Sequence, residues 1–185
     1  MFTLISWKSC YRTLTLLGLF LFAVPFVMAG AQAQNAKAAA WRVTTEEELK
    51  SVIPARAPVV AEHIETEFRT ASGITDGRGR FVAGVVLITA GYSAEGKYSH
   101  YLLSQVRIKL GNLALPAGQY VFGWTRKDET LRVHFYDAAT GRELGQTDAV
   151  LNPSINRVES FRIWPPSDKG VVQLGRFTFN YTLAE

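Results

Sequence analysis

The chain has 185 residues, of which 48% are hydrophobic, and its formal net charge is +4 at pH 7. Its single cysteine, Cys10, excludes an intrachain disulfide and any zinc site built from several cysteines. Two of the positive charges, Lys8 and Arg12, lie near the start, and no run of Lys or Arg follows. The composition therefore argues against nucleic acid as a partner.

Residues 1–33 are predicted to be a secretory signal peptide. The segment starts with two basic residues and no acidic one, continues with the apolar run Leu14–Met28, and ends on Ala31-Gln32-Ala33, which fits a small-x-small cleavage site. The apolar run of about 15 residues is shorter than the roughly 20 that a spanning helix needs. We therefore expect cleavage, export to the periplasm or the extracellular medium, and no stable membrane span afterwards, with a retained anchor as the alternative.

Cleavage after Ala33 removes Cys10 and two positive charges, so the mature chain has a formal charge of +2 and no thiolate nucleophile. About 150 residues remain, which is enough for one domain with a sizeable core.

Residues 34–43 are expected to form a flexible leader ahead of a single β-rich domain, residues 44–185. The domain begins with Thr44-Thr45 followed by three glutamates. This order predicts a helix capped by threonine, with its acidic first turn at the positive end of the helix dipole. Pro54 and Pro58 end the helix within about three turns.

Three segments between Val59 and Leu110 predict strands. Val59–Phe68 fits both helical and strand spacing, and the turn-forming residues on either side favour a strand. Phe81–Ala90, after the turn signal Asp76–Gly79, is apolar on both faces, which predicts a central buried strand. Tyr98–Leu110 alternates clearly in its second half, with three side chains inward: Val106, Ile108 and Leu110.

The segment Leu113–Trp124 predicts a turn at Pro116 and Gly118 that leads into an aromatic strand. A polar turn, Arg126–Glu129, separates it from the alternating segment Leu131–Tyr136. With Thr125 opposite Thr130, six apolar side chains share one face: Tyr120, Phe122, Trp124, Leu131, Val133 and Phe135. Two alternations that agree in this way indicate a hairpin with one buried face, so we expect the three rings of the first strand in the core.

The remaining strand candidates are Glu143–Val150, Val158–Trp164 and Phe177–Leu183, and the turn Asp137–Gly141 puts Gly141 where a positive φ is needed. About eight strand candidates at short, regular spacing predict an all-β fold, an antiparallel β-sandwich, rather than alternating α/β. A small eight-stranded β-barrel is the alternative, because both architectures share the same alternation.

No catalytic constellation is recognisable in the sequence. There is no G-x-S-x-G elbow, no paired histidine at helical spacing and no phosphate-binding glycine loop. His63, Glu65 and Glu67 form the densest group of potential metal ligands, on one face of a predicted strand with Arg69. A solvated face on which Arg69 pairs with a glutamate is the favoured interpretation, so we predict no metal site and no cofactor, and we favour a non-enzymatic protein.

The outer face of the predicted hairpin is the candidate binding surface. It carries Arg132, His134 and Tyr136, with Tyr101 nearby. Arginine and tyrosine on a rigid sheet can stack on a sugar ring or bind a carboxylate. A solvated face, or one covered by a second sheet or by the N-terminal helix, is the alternative.

The turn LPAGQY, followed by an aromatic strand, a polar turn and a second strand, resembles a segment of exported bacterial β-sandwich proteins of the DUF2911 group. The resemblance covers roughly residues 108–136. Because the function of that group is unknown, the resemblance implies an exported location and a β-sandwich fold but no active residues.

The sequence leaves four functional hypotheses. The first is an exported non-enzymatic β-sandwich that binds a protein, a glycan or a component of the cell envelope, and the main alternative is a lipocalin-like carrier of a small apolar ligand. An outer-membrane barrel is disfavoured, because the two-sided apolar segment Phe81–Ala90 suits a dry core better than a water-filled lumen. A hydrolase with an unrecognised site is the fourth.

Overall fold

The structure, a computed structural model, describes residues 40–184. The predicted signal peptide and residues 34–39 of the predicted leader lie outside the described residues. Of the described residues, 58% are in strands and 5% are helical, which confirms the predicted all-β class. The strands are antiparallel and belong to one large sheet that curls into a half-barrel.

Thirteen strands and one short helix make up the described part of the chain. The helix α1 spans Glu46–Val52, between the first two strands. The strands are β1 (Arg42–Val43), β2 (Arg56–Val59), β3 (Glu62–Thr75), β4 (Phe81–Leu87), β5 (His100–Ser104), β6 (Arg107–Leu110), β7 (Leu113–Leu115), β8 (Gly118–Lys127), β9 (Thr130–Asp137), β10 (Glu143–Leu151), β11 (Glu159–Ile163), β12 (Val171–Gly175) and β13 (Phe177–Ala184).

All thirteen strands are hydrogen-bonded into one antiparallel network. Its main path runs β1-β3-β4-β5-β8-β9-β10-β13-β12-β11, with β2 attached to β3 and with β6 attached to β13 and β7. The two ends of the path meet without a strand ladder, where β11 packs on β3 and β4 and the Ile163 amide donates to Ser72 Oγ at 3.0 Å. The sheet therefore curls around an interior, an arrangement between the predicted sandwich and the closed barrel.

The curled sheet is packed on both of its faces. Its inner face encloses the larger hydrophobic core, to which β4 contributes Val82. Its outer face around β4 and β5 is covered by α1, β2 and the segment 88–98, and there β4 contributes Ala83 and Val85. β4 is therefore the central buried strand that the apolar segment Phe81–Ala90 predicts.

The start of the domain confirms the predicted threonine cap. The Glu48 amide donates to Thr45 Oγ1 at 3.2 Å, and the Thr45 amide donates to the Glu48 carboxylate at 2.8 Å, which is a reciprocal capping box. The structure differs from the prediction of a flexible leader up to residue 43. Arg42 and Val43 form β1 and pair with the end of β3, and Arg42 forms a 2.6 Å salt bridge with Glu48.

The segment Val59–Phe68 is extended, as predicted, but a tight turn interrupts it. β2 ends at Val59, and Val60 has φ 56°. A β-branched residue at positive φ is strained because its side chain crowds the backbone. β3 then changes register against β4 between Glu67 and Ser72. On its other edge, its first residues pair with β2 and its last residues with β1.

The hairpin β8–β9 has a shorter turn than the sequence predicts. Its turn contains two residues, Asp128 and Glu129, because Lys127 pairs with Thr130. The pairing is shifted by two residues relative to the predicted one, in which Thr125 lies opposite Thr130. Since side chains alternate with a period of two, this shift leaves every side chain on its predicted face.

The three rings of β8 share the inner face, but they do not share one environment. Tyr120 and Phe122 are buried in the inner core, as predicted. Trp124 is 46% exposed, so its predicted burial is wrong. The β5 ladder ends at the pair His100 and Phe122, so Trp124 has no neighbouring strand on that side.

The structure also differs from the prediction in how the extended segments are divided into strands. Tyr98–Leu110 forms two strands, β5 and β6, although its inward residues Val106, Ile108 and Leu110 are buried as predicted. β12 is a strand that the sequence pattern does not predict. The turn after β9 has the predicted positive φ, 67°, at Gly141.

Candidate functional site

At one end of the half-barrel, the inner face of the sheet extends past the part of the interior that the core side chains fill. β8 and β9 run past the last β5 pair to Lys127 and Thr130, so their hairpin projects beyond the sheet. This projection forms one wall of an open cavity of about 720 Å³, which we name the end cavity. Its apolar lining consists of Val86, Trp124, Leu131, Leu151, Val158, Leu174 and Phe177.

Three large apolar side chains remain exposed around the end cavity. Trp124 is 46% exposed, Leu151 45% and Val158 55%, and they come from β8, β10 and the segment just before β11. Single exposed apolar residues are normal on a protein surface, but several at the rim of one concave site are typical of a binding surface.

His100 lies at the floor of the end cavity. Its ring stacks on Phe122, with centroids 4.6 Å apart and planes inclined by 7°, and it packs against Phe161 at 5.4 Å. Nδ1 lies 2.7 Å from Ser99 Oγ, whereas Nε2 has no hydrogen-bond partner among the described residues. These contacts fix the ring and leave one buried polar atom unsatisfied.

Burial lowers the pKa of His100 to about 4, and the backbone of Ser160 opposes this shift only in part. The imidazole is therefore neutral at pH 7. The contact between Ser99 and His100 resembles a nucleophile–base pair, but a base with this pKa takes up a proton poorly. No Asp or Glu in the described residues bonds to His100 to orient it. His100 is therefore a weak general base for the Ser99 hydroxyl.

The mouth of the end cavity is positively charged. Arg126 and Arg176 line it, and neither forms a salt bridge with an acidic residue within residues 40–184. Arg126 instead donates to the Asp128 carbonyl at 3.2 Å and lies 5.7 Å from the Phe177 ring. The one carboxylate in the lining, Glu159, is paired with arginines at 2.8 Å and 3.5 Å.

The predicted surface residues Arg132, His134 and Tyr136 do share the outer face of β9. Arg132 is paired with Asp148 at 3.1 Å. His134 Nδ1 lies 2.8 Å from a Glu143 carboxylate oxygen. The structure thus brings these three residues together, with two of them already engaged by acidic neighbours.

Tyr101 lies in the same cross-strand row as Tyr136, with Val121 between them, but it does not reach the surface. It is 2% exposed, in the outer core that contains Leu49 of α1. Burial raises the pKa of Tyr101 to about 12. Tyr101 is therefore covered within the outer core and is not available at the surface with the other three residues.

A second, more polar recess lies beside Tyr136. Lys97, Trp124, His134 and Tyr136 line an open space of about 410 Å³, the outer recess. Lys97 Nζ lies 5.0 Å from the Tyr136 ring and 5.0 Å from the ring of Tyr98, which itself meets Tyr136 edge-on. The attraction between a cation and an aromatic ring is favourable, so these contacts stabilise the position of Lys97 even without a ligand.

The acidic residues considered as metal ligands have protein partners. Glu65 pairs with Arg56 at 3.0 Å and accepts from the Tyr92 hydroxyl, and Glu67 pairs with Arg69 at 3.1 Å. In the part of the chain that the structure describes, no three His, Cys, Asp or Glu side chains are grouped to hold a metal ion.

Sequence reasoning did not identify the end cavity. One signal was present: His100 lies on the inward alternation with Leu102 and Ser104, and a histidine on an apolar face needs a polar partner. Trp124 and Arg126 lie on the same inward face of β8, but the sequence does not show that the core ends before them.

Comparisons with known proteins assign no relative. No family model matches the chain, and no significant match was found among the curated proteins or the solved structures. The resemblance to the DUF2911 group therefore stays a prediction. Within residues 40–184 no helix has the length and apolar character to cross a membrane.

Proposed function

We propose that this protein is a non-enzymatic binding protein that holds a small amphipathic molecule, with an apolar body and one anionic group, in the end cavity. The observation that carries the proposal is the open apolar cavity at which Trp124, Leu151 and Val158 remain exposed. Its volume of about 720 Å³ lies within the roughly 300–1,000 Å³ typical of small-molecule sites. Of the hypotheses from sequence, this one favours the carrier of a small apolar ligand.

The charges at the mouth support an anionic group on the ligand. Arg126 and Arg176 carry charges that no described carboxylate pairs with, whereas Glu159 is already neutralised by two arginines. A guanidinium binds a carboxylate through two parallel hydrogen bonds, which adds geometric selectivity to the attraction. An apolar chain that ends in a carboxylate therefore matches both the wall and the mouth.

Calorimetric titration with decanoate tests the proposal, with two variants of neighbouring residues as a matched pair. Leu151 faces the end cavity, whereas Val150 is 53% exposed on the opposite face of β10. Leu151→Asp places a carboxylate in the ligand's path and should weaken decanoate binding at least tenfold, because burial of a leucine side chain contributes about 1.5–3 kcal/mol. Val150→Asp should change the affinity by less than about twofold. Absence of decanoate binding, or equal affinities in the two variants, would contradict the proposal.

The outer recess supports a second candidate function, the binding of a glycan or of another envelope component. The observation that favours it is the Tyr136 ring and His134 beside an open space that Trp124 also borders. Binding to a glycan panel should then be lost in Tyr136→Ala and kept in Arg132→Gln, because Arg132 does not line the recess. A panel without a binder would remove this candidate.

We also propose that the protein acts outside the cytoplasm, after removal of residues 1–33. The basic start, the apolar run and the small-x-small site support this location. Native mass spectrometry of the protein purified gently from its own host measures both the cleavage point and any retained small molecule. A chain that keeps residues 1–33 would contradict the proposed processing.

A further inference from the structure

We infer that the ligand of the end cavity is an ω-hydroxy acid, an apolar chain with a carboxylate at one end and a hydroxyl at the other, and that His100 binds the hydroxyl. The inference rests on the proposed function, because it concerns the ligand of the same cavity. It adds a specificity-determining residue at the floor of the end cavity and narrows the class of ligand.

His100 is held as a fixed polar group in an otherwise apolar floor. Phe122 and Phe161 hold its ring from two sides, and Ser99 engages Nδ1, so the direction of Nε2 is set by the protein. The residue is 5% exposed, and Nε2 is the one buried side-chain polar atom without a partner in good hydrogen-bond geometry among the described residues, although the Ser160 backbone lies near enough to the ring to raise its pKa in part. A buried nitrogen without a hydrogen bond destabilises the protein. A ligand group that forms a hydrogen bond to this nitrogen removes that cost, which increases the ligand's affinity.

A hydroxyl is the group that suits this nitrogen best. A neutral imidazole has one N–H donor and one acceptor nitrogen, and the tautomer decides which of them is Nε2. A hydroxyl both donates and accepts, so it pairs with Nε2 in either tautomer. A carboxylate only accepts, and its charge is unfavourable at an apolar floor, whereas Arg126 and Arg176 offer positive charge at the mouth.

The distance between the two polar regions sets the length of the ligand. Arg126 lies four residues beyond Phe122, the cross-strand partner of His100. At about 3.3 Å per residue, four residues along a strand span about 13 Å. A straight chain of intermediate length is needed to join them, and 10-hydroxydecanoate is a probe of that kind.

Calorimetric titrations with decanoate and with 10-hydroxydecanoate test the inference on the protein and two variants. His100→Phe keeps a flat ring against Phe122 and removes both nitrogens, and His100→Gln keeps hydrogen-bonding groups. The protein should bind 10-hydroxydecanoate at least tenfold more tightly than decanoate. His100→Phe should lose this preference, and His100→Gln should recover part of it. The ratio of the two affinities is the readout, because His100 lines the cavity and its replacement changes the surface that both acids contact.

The outcomes separate this inference from the proposed function. Equal binding of the two acids by the protein, or an unchanged preference in His100→Phe, would overturn the role of His100 while decanoate binding upholds the cavity as a ligand site. Failure of both acids to bind would overturn both. A circular-dichroism spectrum like that of the unchanged protein establishes that His100→Phe is folded, so a lost preference reports on the hydroxyl.

Discussion

Gln173 occupies the middle of β12 and is completely buried, yet all of its polar atoms are used. Trp164 Nε1 donates to its Oε1 at 2.9 Å, and its Nε2 donates to the carbonyls of Arg157 and Gly175 at 2.9 Å and 2.8 Å. These bonds tie β12 to Trp164, directly after β11, and to the segment that carries Val158 at the rim of the end cavity. We expect Gln173→Leu to destabilise the protein, because leucine fills the space without replacing any of the three bonds.

The size of the effect follows from the exposure of the partners. An unsatisfied buried group costs about 1–3 kcal/mol. Trp164 and Gly175 are half-buried and Arg157 is exposed, so water replaces part of the lost bonding. We therefore expect the free energy of unfolding to fall by about 3 kcal/mol in total.

Urea unfolding monitored by circular dichroism measures this loss as a lower midpoint at an unchanged slope. Gln146→Leu, at an exposed position of β10, is the control and should change the free energy of unfolding by less than about 0.5 kcal/mol. A loss below about 1 kcal/mol for Gln173→Leu, or an equal loss in both variants, would refute the reasoning.

Three further predictions concern single residues. Burial holds the pKa of His100 near 4, against an ordinary 6.5, so the unfolded chain takes up this proton first on acidification. The stability that is present above pH 6.5 is therefore reduced by about 3 kcal/mol by pH 4. Urea unfolding at the two pH values should show a smaller loss in His100→Phe, and an equal loss in both proteins would disprove this role of His100. Val60→Asn should raise the free energy of unfolding by about 1 kcal/mol, because asparagine tolerates positive φ better, and an unchanged midpoint would count against strain at Val60. Gly84→Ala should lower it by about 2 kcal/mol or more, because the new methyl would lie 2.8 Å from Phe161 ring atoms and from the Tyr101 carbonyl oxygen; a fully stable variant would contradict this packing.

Alternation in the sequence predicts which face a side chain occupies, and the hairpin β8–β9 shows why this works. A two-residue shift of register preserves the face of every side chain, so an incorrect turn length left Tyr120 and Phe122 correctly placed. Alternation does not predict how far a core extends along a strand. That extent is set by the neighbouring strand, and β5 ends two residues short of Trp124.

The end cavity could not be predicted from local patterns, because its lining joins residues far apart in the sequence. His100, Trp124, Val158 and Phe177 meet only through the order of strands in the sheet. The sequence pattern does not predict β12 for a related reason. Gln173 interrupts its apolar run, and two of the partners that satisfy this glutamine, Trp164 and Arg157, lie just after and just before β11, where no local pattern reveals them.

The position of β13 has a consequence for the timing of folding. It is the last described strand along the chain, yet it lies inside the sheet, between β10 and β12, and its second half also pairs with β6. Until β13 is in place, β10 is an unpaired edge, and such edges invite pairing with other chains. A partly synthesised or partly translocated chain that lacks β13 therefore cannot finish the sheet, and we expect folding to be completed only once this strand is available to pair. Such late, long-range pairing makes folding slow and favours protection by a chaperone in the meantime.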